Sequence, residues 1–119
     1  MLRWRSKQEN APNGLPDLAE LREQDLVVIF KHSPTCPVSW AAEKQMKKFT
    51  ANNPAVPVRT ILVRQDRELS RQIAEFTGIR HESPQVIVLR HGVPVWNASH
   101  QDVTSELLTQ AINHCVGSK

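Results

Sequence analysis

Tyrosine is missing from this 119-residue chain, and three Trp and three Phe are its only aromatics. No basic stripe interleaved with aromatics appears, so nothing offers a stacking platform for nucleic acid, and no nucleic-acid partner is expected. Cysteine is scarce too: Cys36 and Cys115 stand alone, 79 positions apart. No run approaches the roughly 18 apolar residues of a membrane span, so no membrane partner is expected either. Met1-Leu2-Arg3-Trp4-Arg5-Ser6-Lys7 carries charge with no apolar stretch behind it, which does not read as a secretion signal. A cytoplasmic protein that keeps both thiols reduced is the expectation. The length suits one domain with a real core, and four glycines against eight prolines mark an ordinary globular chain.

The formal charge of +3 owes much to Arg3, Arg5 and Lys7, in a polar stretch ending at the turn-like Ala11-Pro12-Asn13-Gly14. Residues 1–14 are therefore expected to be a flexible N-terminal segment, and residues 15–119 the folded domain. Lys44, Lys47 and Lys48 cluster on one helix face. They form either a solvated surface or a local field that attracts an anionic ligand.

Hydrophobic periodicity orders the rest. Leu15-Pro16-Asp17 opens a short helix reaching about Glu23. Asp25 to Lys31, with Leu26-Val27-Val28-Ile29-Phe30 at its centre, reads as a fully buried strand. A helix from Cys36 to about Ala51 carries Ala42, Met46 and Phe49 at i, i+4, i+7. Val56 to Arg64 reads as a second buried strand. Asp66 caps a helix with Leu69, Ile73 and Phe76 on one face, and Gly78 ends it. Val86-Ile87-Val88-Leu89, a turn at His91-Gly92 and Val93 to Ala98 form an antiparallel hairpin. A last helix starts at Asp102.

The order β-α-β-α-β-β-α after a leading helix predicts an α/β fold. One mixed four-stranded sheet has helices on both faces, its first two strands parallel through a right-handed crossover. With a cysteine at the first strand-to-helix turn, that order resembles the thioredoxin plan.

Cys36 falls at that turn, in Lys31-His32-Ser33-Pro34-Thr35-Cys36-Pro37-Val38-Ser39. Free N–H groups and the positive end of the helix dipole favour an anion there, and the thiolate is the species that attacks disulfides. Cys36-Pro37-Val38-Ser39 is a C-x-x-C motif whose second cysteine has become serine. No local thiol can resolve a mixed disulfide, so another molecule's thiol must do it.

Magnitudes favour this use. An unperturbed thiol is about 10% ionised at pH 7.5, and lowering its pKa by ~2 units makes it ~90% ionised. The roughly tenfold gain in thiolate is nearly cancelled by a roughly eightfold loss of nucleophilicity, while departure as a leaving group speeds up. Such a sulfur is suited to accept a group and give it up.

Other readings of these residues stay open. Cys36 could be a packing cysteine, or a metal ligand together with His32, although no second pair of ligands has sensible spacing. Ser39 either donates a hydrogen bond to the thiolate or is an ordinary helix-surface serine. His81 and Glu82 either touch substrate or are plain loop residues. His91, His100 and His114 read as surface. Cys115 continues the stripe Leu108, Ala111, Ile112, which points it into the core, with a resolving thiol as the alternative. A phosphatase loop is excluded because the residue six after Cys36 is Ala42, not Arg.

Phe30-Lys31-His32-Ser33, Thr35-Cys36-Pro37-Val38-Ser39 and His81-Glu82-Ser83-Pro84-Gln85 resemble the signature blocks of the monothiol bacilliredoxins. Ala98-Ser99-His100 is similar to the family's pattern at the end of the last strand. The resemblance runs from Leu15 to Ile112. It implies a cytosolic thioredoxin-like oxidoreductase that removes bacillithiol, a glucosamine–malate–cysteine thiol, from S-bacillithiolated proteins. Cys36 would be catalytic, supported by Thr35, Pro37 and Ser39. Lys31, His81, Glu82, Ser83 and Pro84 would bind substrate, with Ser83-Pro84 in the cis form facing the cysteine. The malate carboxylates would suit Lys31 or Lys44. Bacillithiol would serve as co-substrate, with no bound cofactor or metal, and a flavin-dependent bacillithiol disulfide reductase would recycle the product. The alternatives are a binding or adaptor module without turnover, and a glutaredoxin-like enzyme using another small thiol.

Overall fold

The computed structural model describes residues 15–117, so the N-terminal segment expected at 1–14 lies outside the described residues. The elements are α1 (Leu15–Glu23), β1 (Leu26–His32), α2 (Pro37–Asn52), β2 (Val58–Leu62), α3 (Arg67–Thr77), β3 (Gln85–Arg90), β4 (Val93–Ser99), a 3-10 turn (His100–Asp102) and α4 (Ser105–Gly117). Strands run in the order β2-β1-β3-β4. β1 pairs with β2 in parallel and with β3 antiparallel, and β3 pairs antiparallel with β4.

The unbroken apolar run of β1 is explained by its central place, since a strand covered on both faces alternates between two cores. Val28 and Phe30 point to one side, where Ala42, Met46 and Phe49 of α2 meet Leu108 and Ile112 of α4. Val27 and Ile29 point to the other, against Leu21 of α1 and Leu69 and Ile73 of α3. Helices therefore cover both faces, as the element order predicts. β4 is an edge strand, and its alternation of exposed and half-buried residues fits that position.

Boundaries shift where local chemistry intervenes. β2 is shorter than the Val56–Arg64 run predicts. Pro57 has no N–H for the ladder, though its carbonyl still accepts from Val28 N–H at 2.9 Å. Asp66 precedes α3 without a side-chain cap bond; its Oδ2 instead accepts from Leu62 N–H at 3.2 Å. The last helix begins at Ser105, not Asp102, because residues 100–102 form the 3-10 turn, with Thr104 Oγ1 accepting from Leu107 N–H at 3.2 Å. Gly78 ends α3 in the left-handed region (φ 73°), as expected.

Lys31 lies opposite Gln85, the first residue of β3 and the one after Pro84. The turn carrying Cys36 and the loop carrying Pro84 are thus brought to the same end of the sheet.

Candidate active site

Cys36 is the N-cap of α2, with extended backbone (φ −105°, ψ 123°) and Pro37 in the first turn. Its N–H donates to Ser33 O at 3.0 Å, closing a tight turn, and its carbonyl accepts from Trp40 N–H at 3.0 Å. The thiol is half-buried, makes no capping hydrogen bond, and no acidic residue stands in the first turn to oppose an anion. It is not a packing cysteine. Thr35 and Pro37 on either side are exposed, and Trp40 donates through Nε1 to Pro34 O across the outside of the turn.

Ser39, at the place of a second C-x-x-C cysteine, is fully buried rather than on the helix surface. Its Oγ accepts from Ser33 N–H at 2.9 Å and lies 2.8 Å from His32 Nδ1. His32 is 4% exposed, stacks on Phe30 with centroids 5.3 Å apart, and turns Nε2 toward Glu43 Oε2 at 3.7 Å. From sequence alone, His32 offers itself as a metal ligand beside Cys36. Its two nitrogens face Ser39 and Glu43 instead, and among the described residues no three metal-ligating side chains converge. The missed signal was strand phase: His32 shares its face of β1 with Phe30, which packs against α2.

On the opposite face, Lys31 corrects an expectation. Its side chain is fully buried and does not reach out to a ligand. Nζ donates to Ser70 O and to His81 Nδ1, each at 3.1 Å, and Ser70 Oγ also lies 3.1 Å from that nitrogen. Burial pushes the ammonium down to about 8. Desolvation first, and the Lys31 charge second, hold His81 below its ordinary range, with Glu82 acting the other way. Sequence gave no hint of this cluster, because its members are 39 and 50 positions apart. Lys44 is exposed, as a ligand contact would require.

The loop before β3 holds the remaining candidates. Ser83-Pro84 is cis, as the resemblance implied. Glu82 Oε1 pairs with His100 Nε2 at 3.2 Å, and Pro84 O accepts from His100 N–H at 2.8 Å. His100 thus ties the end of β4 to the loop. Ser83 Oγ is buried with no hydrogen-bond partner among the described residues. His91 and His114 are exposed, as expected.

Cys115 is half-buried near the end of α4, not in the core. A cavity of about 670 Å³ lies there between α4 and the β3–β4 hairpin, lined by Arg90, Trp96 and Cys115. Arg90 Nη1 lies 3.9 Å from its sulfur. Arg90 pairs with Leu26 at the start of β1, so the two thiols occupy opposite ends of the sheet.

A free cysteine at the start of α2, at the sheet end that carries a cis-proline, places the chain in the class of thioredoxin-fold oxidoreductases. Known structures agree. A thioredoxin-fold structure provisionally described as an oxidoreductase is 35% identical, covering 84% of this chain and 89% of its own, with a TM-score of 0.78. Thioredoxin from Trypanosoma brucei brucei has a TM-score of 0.73 at 15% identity, covering 89% of this chain and 88% of its own. Fasciola hepatica thioredoxin has a TM-score of 0.65 at 16% identity, over 84% and 89% of the two chains. The last two likenesses concern the fold alone. The family description "Monothiol bacilliredoxin BrxC" matches residues 8–108, beginning before Leu15 and stopping short of Ile112. The chain belongs to the monothiol bacilliredoxin family.

Proposed function

We propose that the protein removes bacillithiol from S-bacillithiolated proteins by monothiol exchange at Cys36. The Cys36 thiolate attacks the bacillithiol sulfur of the mixed disulfide. The protein's thiolate departs, and bacillithiol is left on Cys36. A second bacillithiol thiolate attacks that adduct, releasing the symmetric disulfide and restoring Cys36. A flavin-dependent bacillithiol disulfide reductase returns the disulfide to thiol. Bacillithiol is co-substrate, no bound cofactor or metal takes part, and the setting is the cytosol. Among the described residues no helix is long and apolar enough to cross a membrane.

The observation that carries this reading is the partnering of Ser39. Its hydroxyl is built into the turn by Ser33 and His32, and the other thiol sits at the far end of the sheet. Resolution from within is therefore closed. Lys44 is available to the malate carboxylates, and the exposed His81, oriented by Lys31, would line the approach of the protein partner with Glu82, Ser83 and Pro84. The test is release of bacillithiol from a bacillithiolated protein in the presence of free bacillithiol. Wild type is expected to turn over and Cys36→Ser to be inert. Equal rates would refute the mechanism.

A further inference from the structure

We propose that Trp40, Lys44 and Lys47 form a binding strip for the part of bacillithiol that does not react. The indole receives the sugar ring, and the two ammonium groups receive the malate carboxylates. The inference deepens the reading above and rests on Cys36 exchanging bacillithiol.

Placement along α2 is the first support. Cys36 is the N-cap, and its carbonyl accepts from Trp40 N–H at 3.0 Å, so Trp40 stands one turn further along the helix. Lys44 and Lys47 follow Trp40 at i+4 and i+7, spacings that keep side chains on one face. At ~1.5 Å per residue, Lys44 lies about 12 Å along the axis from Cys36. All three residues are exposed, while Ser39, Ala42, Met46 and Phe49 are the buried ones of this helix. The flanks of α2 orient the strip. Glu43 and Lys47 line a cleft with Val58 and Thr60 of β2, whereas Val38 and Ala41 line one with His100 and Val103. The strip therefore runs along the solvent face of α2 toward the β2 side. The Ser83-Pro84 loop leads into β3, which lies on the other side of β1. Small thiol and protein partner thus approach Cys36 from opposite sides.

Chemistry is the second support. Trp40 is 53% exposed, yet its Nε1 is tied to Pro34 O, so the surface it offers to solvent is carbon. Sugar C–H bonds pack against the electron-rich face of such a ring. An indole already anchored at one edge has little freedom left to lose on binding. Among the described residues the other large exposed apolar side chains, Val93, Val95, Leu107 and Val116, belong to β4 and α4. Lys44 and Lys47 form no ion pair among the described residues, and the neighbouring Glu43 turns to His32 Nε2 at 3.7 Å. Glucosamine is the central unit of bacillithiol, between the cysteine and the malate. The molecule therefore presents sulfur, ring and two carboxylates in the order in which α2 presents thiol, indole and two ammonium groups.

The test is the rate at which Cys36 takes up an adduct, followed by intact mass in the Cys115→Ser background. Three symmetric disulfides are compared: those of bacillithiol, of cysteinyl-glucosamine, and of cysteine. In each, the Cys36 thiolate bonds to one sulfur and the other sulfur departs as thiolate, so only the appended groups differ. Wild type is expected to react fastest with bacillithiol disulfide and slowest with cystine. Trp40→Ala should slow both sugar-bearing disulfides about tenfold and leave cystine unchanged. Trp40→Phe keeps a ring face without the Pro34 bond, and should stay within about threefold of wild type. The Lys44→Met, Lys47→Met double variant should slow bacillithiol disulfide alone, by about fivefold, and high salt should erase the difference. All these substitutions are at exposed positions, so the fold is retained. Equal slowing of all three disulfides in Trp40→Ala would make the indole a brace of the turn and overturn the proposal. So would a double lysine variant as fast as wild type, or a loss carried instead by Arg64→Met, in the cavity beside Pro34 and Thr35. A wild type that takes cystine as fast as bacillithiol disulfide would instead refute the substrate reading on which the strip rests.

Discussion

Lys31 Nζ lies 3.1 Å from His81 Nδ1 in the layer between the sheet and α3, so two basic residues share one hydrogen bond beneath the active-site loop. Lysine can only donate, which fixes Nδ1 as the acceptor and leaves the ring proton on Nε2. The arrangement holds while His81 is neutral. It joins the end of β1 to the residue that opens the cis-proline loop.

This pair makes stability depend on pH in a stated direction. Lys31 is held at about 8 against an ordinary 10.5, so above pH 8 the folded protein sheds a proton that the unfolded chain keeps. Stability from this group therefore rises between those values, is fully present above 10.5, and is lost as pH falls to about 8. Urea unfolding of wild type should show that alkaline rise, and Lys31→Met should lack it while being no less stable at neutral pH. Parallel curves for the two proteins would contradict the assignment. No tyrosine is present to titrate in the same window.

His81 works at the acid end. Its lowered titration means its contribution is present above the ordinary histidine value and is lost as pH falls through the lowered one. A proton on Nδ1 displaces the Lys31 bond and adds a like charge. Protection factors of the backbone amides of residues 81–83, corrected for the intrinsic pH dependence of exchange, should fall on acidification in wild type, and His81→Asn should flatten that response. A wild-type loop equally protected across the acid range would count against the coupling.

Cys115 is not expected to resolve the Cys36 adduct. The two thiols are separated by the seven residues of β1, about 20 Å at ~3.3 Å per residue, whereas a disulfide needs Cα atoms within about 7 Å. Cys115→Ser should retain exchange activity within about twofold, and mass spectrometry of oxidised wild type should find no internal bridge. A Cys36–Cys115 disulfide, or a tenfold loss in the variant, would restore the dithiol reading.

Two glycines should respond unequally to alanine. Gly92 (φ 78°) closes the β3–β4 turn, and a Cβ there would stand 2.7 Å from the Arg22 carbonyl oxygen, whereas one at Gly78 (φ 73°) would meet open space. Gly78→Ala is expected to cost about 1 kcal/mol and Gly92→Ala roughly 2–3 kcal/mol, because only the latter adds a backbone clash to the strain of positive φ. Thermal unfolding of the two variants checks the order.

The legible parts of the chain were those governed by local pattern. Continuous apolar residues marked β1, the Ala42, Met46 and Phe49 spacing marked α2, and Gly78 marked the end of α3. The family blocks around Cys36 and Ser83-Pro84 were readable because their residues are contiguous. What pattern left hidden depends on which side chains meet across the fold. Lys31 looked like a free cation because sequence does not show that α3 closes over that end of β1. Cys115 continues an apolar stripe on its helix, yet a cavity separates it from Trp96 of β4 and leaves it half-buried. His32 and Ser39 read separately in the sequence, since nothing in a seven-residue separation says that a strand end and a helix start will meet in a hydrogen bond.

Intact-mass analysis after exposure to oxidised bacillithiol, with oxidised glutathione alongside, tests the central claim most directly. One bacillithiol on Cys36, absent in Cys36→Ser and discharged by free bacillithiol, is the predicted result, with no comparable glutathione adduct. A Cys36 that stays unmodified, or that takes glutathione as readily, would contradict it.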